Sequence, residues 1–479
     1  MDLMRFFRSA VGGKPKLRLY NTLSKTKEDF YMSRSAKSVR MYNCGPTVYG
    51  LQHIGNLSMF VFTDVLRRTL EYNGFDVKQV INITDVGHLS SDADQGEDKM
   101  TLGLQREGLT LTLENMRTLA EKYTDIFLSD LQQLNIDTSA IQFPRASDHI
   151  PGQIAMIKTL EEKGYAYSAE NGVYFDTGHF PAYGALGGIN MEGQKEGARV
   201  AATSGKRHPT DFVLWKRDTH IGWESPWGKG FPGWHIECSA MIRACLGLQI
   251  DIHTGGIEHI PIHHNNEIAQ SECATGKKPL SRFWLHRAHI QIEGGKIAKS
   301  QGNVVYLSEI VKRGFDPLAL RYVFLGAHYR TNANFSWEAL EASQNALHKL
   351  YEYYSNTHDG KGIDNAAQYI GHFEQRINDD LDTPGALAVM WDMTRDQNVS
   401  FVAKKAAILE FDTVLGLNIA GHAQRKYIVP QEVEQLLAAR EQARAEKNWE
   451  RSDELRAKID SMGYSISDTE QGSRALPKK

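Results

Sequence analysis

Val39-Arg40-Met41-Tyr42-Asn43-Cys44-Gly45-Pro46-Thr47, then His53-Ile54-Gly55-Asn56, then Val77-Lys78-Gln79-Val80-Ile81-Asn82-Ile83 is the stretch that decides the fold. Val39 to Tyr42 reads as a strand that stops at a Gly-Pro-Thr turn. Residues 57–73 read as a helix, because Val61, Val65, Leu66, Leu70 and Tyr72 form a broad apolar stripe. Gly74 stands where a helix commonly turns left-handed to end. Residues 77–83 alternate and are rich in β-branched side chains, which is a strand pattern. A strand, a helix and a strand in so short a span make a βαβ unit, and hence a parallel sheet.

Working outward, the sheet pattern resumes at Gln249-Ile250-Asp251-Ile252-His253. Residues 17–100 and 231–310 therefore read as two halves of one Rossmann-like α/β domain, and 101–230 as an insertion that opens with a helix over 112–134. Residues 311–336 link this domain to a helical bundle over 337–428. Within the bundle, Asp382-Thr383-Pro384 announces a helix by an N-cap residue followed by Pro in the first turn. A small module over 429–479 has two helices, the first carrying Val433, Leu436 and Leu437, the second Leu455, Ile459 and Met462 and ending at Gly463. Trp449 is expected in the turn between them. Residues before 17 read as a tail and 356–365 as a loop. The expected fold class is α/β: a Rossmann-like parallel-sheet catalytic domain with an insertion, followed by a helical bundle and a small C-terminal domain.

The chain has 479 residues, 41% hydrophobic and 24% charged, which is ordinary for a globular protein with a sizeable core. Four cysteines argue against a disulfide scaffold and fit a reducing cytosol, so a cytoplasmic location is expected. No apolar run approaches the roughly 20 residues of a membrane span. A net charge of −3 neither advertises nor excludes nucleic-acid binding, which needs only a local basic surface.

Cys44, Cys238, His263 and Glu267 lie in distinctive frames: Asn43-Cys44-Gly45-Pro46, Trp234-His235-Ile236-Glu237-Cys238 and His263-His264-Asn265-Asn266-Glu267. Two thiols, an imidazole and a carboxylate are donors of a tetrahedral zinc site, and His263 and Glu267 share a helix face at a spacing of four. The wide separation of the cysteines suits a cleft in a large domain rather than a small zinc finger. Taken alone, a buried Cys also serves as a small hydrophobe, and HHxxE also starts an ordinary polar helix. His53-Ile54-Gly55-Asn56 sits at a helix entry, where free backbone N–H groups suit a polyphosphate, although a surface turn has the same pattern. Lys296-Ile297-Ala298-Lys299-Ser300 places two lysines three apart, either a clamp for developing negative charge or a solvated basic turn.

In this order, HIGN and KIAKS resemble the HIGH and KMSKS signatures of class I aminoacyl-tRNA synthetases. With Asn43-Cys44-Gly45-Pro46-Thr47-Val48-Tyr49, Gly233-Trp234-His235-Ile236-Glu237-Cys238 and His263-His264-Asn265-Asn266-Glu267, the chain resembles the cysteinyl-tRNA synthetases over nearly its whole length. The resemblance implies one zinc ion held by Cys44, Cys238, His263 and Glu267, accepting the thiolate of L-cysteine. It implies ATP, with Mg2+, held by His53, Gly55, Asn56, Gly255, Gly256, Glu258 and Lys299, with His53, Asn56, Lys296, Lys299 and Ser300 assisting the chemistry. Gly45, Thr47 and Trp234 are implied to hold the cysteine, and residues 429–479, with Arg440, Arg444, Lys447, Arg451, Arg456 and Lys458, to bind the anticodon of tRNA(Cys). No membrane partner is implied, and a monomer is expected. Asn56 departs from HIGH, Ile297 and Ala298 from KMSKS, Glu258 from the usual Asp, and Gly87-His88-Leu89 from the usual Asp-Asp-Lys. A cysteine ligase acting on an amino sugar shares the zinc donors, but would not need the C-terminal helical pair.

Overall fold

The computed structural model describes residues 16–32, 37–86, 99–188, 205–292, 295–296, 304–355, 362–423, 430–469 and 472–477. The tail before 17 except Lys16, the Gly87-His88-Leu89 departure, Lys299, Ser300 and most of the expected 356–365 loop lie outside the described residues.

Val39–Asn43 is the centre of a sheet of five parallel strands. On one side it pairs with Val77–Ile81, Val39 opposite Val77 and Asn43 opposite Ile81. That strand pairs in turn with the short Ile141–Gln142. On the other side lie Ile250–Gly256 and then Ser281–Arg287. Val39, Met41, Tyr42, Val80, Ile250 and Ile252 are wholly buried, as a parallel sheet covered on both faces requires. The strand order reverses between Val39–Asn43 and Ile250–Gly256, and in open sheets of this kind ligands bind beyond the strand ends at such a switch point. The two ends are stitched there: the Asn43 amide donates to Thr254 Oγ1 at 2.7 Å and the Cys44 N–H to the Thr254 carbonyl at 3.1 Å.

The crossover helix runs Ile54–Tyr72, starting three residues before the expected 57. His53 is its N-cap, with Nδ1 accepting from the Asn56 N–H at 3.2 Å. An imidazole thus does what Ser, Thr, Asp or Asn usually does, so the start carried no ordinary signal. Gly74 ends the segment with φ +86°.

The helix expected over 112–134 is present as Leu113–Gln133, capped by Thr112, but an unexpected helix, Lys99–Arg106, precedes it and another, Ile150–Glu162, follows. Two sheet features were not anticipated either. Ile141–Gln142 is the edge strand of the parallel sheet. Ala166–Ala169, Gly172–Phe175, Phe212–Arg217 and Gly230–Pro232 form a separate antiparallel sheet. Its Phe175, Phe212, Leu214 and Trp215 share one apolar cluster with Ile236, Ala269 and Cys273, on the backs of the helices Trp234–Cys245 and His263–Thr275. The insertion therefore braces the two helices that carry three of the four metal-donor candidates.

Among the described residues of 337–423 five helices follow, with Phe373 and Phe411 stacked at 4.1 Å at their core. Asp382 caps Thr383–Arg395 through the Gly385 N–H. The buried Arg321 fastens bundle to sheet: it donates to the Leu415 and Leu134 carbonyls at 2.7 and 2.9 Å and to Asp64 Oδ2 at 2.6 Å. It thereby joins the crossover helix, the insertion and the bundle in one fully paired contact, the only form in which a buried guanidinium is tolerated cheaply.

The last module has the expected helices, Gln431–Ala445 and Trp449–Ser461, plus a hairpin of Tyr464–Thr469 and Gly472–Pro477. Trp449 is the first residue of the second helix, not in the turn before it, and is 61% exposed. Arg440, grouped by sequence with the phosphate-binding cations, is buried, and its Nη1 donates to Ser473 Oγ at 2.8 Å. It holds the hairpin to the helix instead of facing solvent. Among the described residues no helix is long and apolar enough to cross a membrane.

Candidate active site

Cys44 follows the central strand, Cys238 lies one turn into Trp234–Cys245, and His263 and Glu267 occupy successive turns at the start of His263–Thr275. One donor atom from each lies within 4.8 Å of every other, and all four residues are buried. Gly45 makes the approach of the first strand possible: a Cβ there would lie 1.6 Å from the Asn82 carbonyl oxygen. The Gly45 N–H donates to Asn82 Oδ1 at 2.8 Å.

The electrostatics of this cluster call for a cation. Burial by itself raises the pKa of Glu267, yet the imidazoles of His253 at 3.0 Å and His263 at 3.4 Å hold it well below the carboxylate range. Burial by itself lowers the pKa of His263, but Glu267 and Cys238 lift it to about 10. The hydrogen bond with Cys44 brings Cys238 down to about 6, while burial drives Cys44 up. A thiolate and a carboxylate thus share a dry pocket around a proton on His263. Despite these short contacts, His263 Nε2 and both Glu267 oxygens are buried without a well-formed hydrogen bond among the described residues. Two soft sulfurs, one nitrogen and one oxygen in that state fit Zn2+.

Cys44 and Glu267 also group with His253 and His264. Because the two groups share donors, they describe one ion site. His264 Nε2 lies 3.3 Å from Cys44 Sγ, and its Nδ1 continues through His286 to Thr22, 2.8 Å at each step. His235 Nδ1 is 2.8 Å from His263 Nδ1. Such partners orient metal ligands. His235 and His264 sit inside motifs already singled out by sequence and His253 ends the resumed sheet pattern, whereas His286 lies in none of them. Their clustering was the available signal, and no role was drawn from it.

A cavity of about 400 Å³ joins this cluster to the HIGN helix. Cys44, Gly45, Thr47 and Trp234 line it, together with His53, Gly55, Asn56, Gly256 and Glu258. The Trp234 ring lies on His263, centroids 4.0 Å apart. Gly255 lies behind the wall, where a Cβ would come within 2.6 Å of His259 and His264. The Glu258 side chain is half exposed at the rim, 3.7 Å from His289.

The family described as "tRNA synthetases class I (C) catalytic domain" matches residues 30–345, and "Cysteinyl-tRNA ligase anticodon binding domain" matches residues 429–474. The chain is 45% identical over 464 residues to "Cysteine--tRNA ligase 1" of Burkholderia lata, covering 96% of each. It is 38% identical over 488 residues to "Cysteine--tRNA ligase" of Treponema denticola, covering 94% of this chain and 98% of that one. The chain belongs to the cysteine–tRNA ligase family. A solved methionyl-tRNA synthetase of Mycobacterium tuberculosis, 14% identical, covers 81% of this chain and 90% of its own at a TM-score of 0.55, and so shares the fold.

The enzyme's second signature starts at the hairpin of Ile290–Ile292 and Gly295–Lys296, in which Gln291 pairs with Lys296. The chain returns at Val305, whose carbonyl accepts from the Ile54 N–H at 3.0 Å, and Tyr306 bridges to His53. The far end of the KIAKS loop is therefore fixed to the cap of the HIGN helix. Sequence reading did not select Lys99, His259 or Arg287, which also line the cavity of this ligase. Each is a polar residue with no motif of its own.

Proposed function

We propose that the chain activates L-cysteine with ATP and transfers it to tRNA(Cys). A cysteine carboxylate oxygen attacks the α-phosphorus, pyrophosphate leaves, and the 3′-terminal ribose hydroxyl of the tRNA then attacks the carbonyl carbon and releases AMP. The single observation that carries this reading is one cavity lined both by Cys44 of the metal-donor cluster and by His53, Gly55 and Asn56 at the N-terminus of the HIGN helix.

Zn2+ held by Cys44, Cys238, His263 and Glu267 would take the cysteine thiolate, for which a serine hydroxyl is a poor substitute. A hydrophobic pocket that judged size alone would gain only about 1–3 kcal/mol per methylene, so a soft ion is the stronger discriminator. Gly45 and Thr47 present backbone and hydroxyl to the amino acid, and Trp234 closes the pocket over His263. His53 and Asn56, with the open N–H groups of the helix, hold ATP phosphates accompanied by Mg2+. Gly255 and Gly256 leave room for the nucleoside, with Glu258 toward the ribose. Lys296, Lys299 and Ser300 gather over the phosphates as charge moves to the leaving pyrophosphate. Residues 17–100 and 231–310 form the catalytic domain, 101–230 its insertion, 311–336 the stem-contact link, 337–428 the bundle and 429–479 the anticodon module. The enzyme works as a cytoplasmic monomer.

Two activities of the full chain and of a truncation ending before Pro430 test this. Cysteine-dependent ATP–pyrophosphate exchange survives truncation, because every catalytic candidate precedes Pro430. Charging of tRNA(Cys) falls, and binding of tRNA to the full chain weakens steeply with salt. Equal losses of exchange and charging would mean that the module only stabilises the fold.

A further inference from the structure

Arg287 ends the strand Ser281–Arg287, opposite Gly256 on the neighbouring strand. It is 4% exposed, yet it lines the cavity beside Ser58, Gly55 and Gly256. Its Nε donates to Ser58 Oγ at 2.9 Å, and Ser58 Oγ in turn donates to the Gly55 carbonyl at 2.7 Å. The guanidinium is thus anchored to the first turn of the HIGN helix. Its Nη2 is buried with no hydrogen-bond partner among the described residues. No carboxylate among them pairs with it. Phe324, 5.9 Å from the guanidinium carbon, offers only a ring face. Burial lowers its pKa to about 10, so it keeps its charge at neutral pH.

This contrasts with the buried Arg321, whose guanidinium is paired to two carbonyls and a carboxylate. An uncompensated buried cation with a free donor is costly and persists where a ligand completes it. The cavity it lines is the one that receives ATP.

We infer that Arg287 is a nucleotide-binding residue of this site, its free guanidinium N–H donating to an acceptor atom of ATP beside the HIGN helix. Ser58 is its positioning residue, fixing the plane of the guanidinium so that Nη2 keeps its direction. The inference rests on the reading of this cavity as the ATP site. A charge-assisted hydrogen bond of this kind corresponds to about 10–100-fold in affinity.

The test is titration calorimetry of the zinc-loaded full chain with ATP, adenosine and cysteine, on the native protein, Arg287→Met and Ser58→Ala, with thermal unfolding of each as the check on folding. Arg287→Met is expected to weaken ATP binding about 10–100-fold and to leave cysteine binding unchanged. Ser58→Ala, which keeps the charge but releases its anchor, weakens ATP binding several-fold. Loss of ATP but not adenosine affinity assigns the contact to the phosphates, and equal loss of both assigns it to the nucleoside. If Arg287→Met does not fold, Ser58→Ala decides. Unchanged ATP affinity in a folded variant, or a loss confined to cysteine, would overturn the inference. Failure of the native chain to bind ATP would instead remove the ATP-site reading beneath it.

Discussion

Lys299→Ala lowers cysteine-dependent pyrophosphate exchange by about 10²–10³-fold, the usual consequence of losing one preorganised contact to transition-state charge. Binding of cysteine is expected to change little, because Lys299 is proposed to act on the ATP phosphates and not on the amino acid. The KIAKS loop leaves the hairpin at Lys296 and is tied down again where Val305 and Tyr306 meet Ile54 and His53. Stopped-flow measurement of adenylate formation separates the two readings of the motif: an unaltered rate would make it a solvated basic turn.

Cys238→Ser removes zinc and cysteine activation together. Loss of a soft ligand is expected to cost metal affinity more than the roughly 10–100-fold typical of changes behind the ligands. It also removes the group whose hydrogen bond with Cys44 gives the pocket its low-pKa thiol. Competition with a chelator measures the affinity, and exchange on the same sample measures the activity. A variant that held zinc as tightly as the native chain would exclude Cys238 from the metal.

What could be read in the sequence was what local chemistry dictates. Cys44, Cys238, His263 and Glu267 stood out because their donor types are few and because a spacing of four fixes one helix face. Asp382, Gly74 and Gly463 marked helix ends by side-chain capping or positive φ, and each does so in the structure. Features that depend on long-range pairing did not stand out. Ile141–Gln142 is a two-residue strand whose only support is its pairing with Gln79 and Val80. The antiparallel sheet of the insertion joins Gly172–Phe175 to Phe212–Arg217 across a long intervening segment, so no local turn signal connects them. Cations misled for the same reason. Arg440 reads as part of an exposed helix face, and Arg287 drew no reading at all. Only the fold reveals that one holds a hairpin and that the other lines the cavity with an unpartnered Nη2.

The histidines are a separate case. His235, His253, His264 and His286 are spread over two strands and two helices, and burial lowers the pKa of His235, His264 and His286 well below the ordinary imidazole value. Neutral imidazoles packed behind the donors can pass hydrogen bonds without adding charge, which suits a pocket meant to hold one cation. Trp234 packs on His235, and Trp284 on His253 and His264.

The central claim is that cysteine is selected by its sulfur at the metal held by Cys44, Cys238, His263 and Glu267. X-ray absorption at the zinc edge tests it most directly, on the zinc-loaded full chain alone, with cysteine and with serine. The account predicts two sulfur neighbours from the protein, a third on addition of cysteine, and no change with serine. A zinc environment that stays the same when saturating cysteine is added would contradict it.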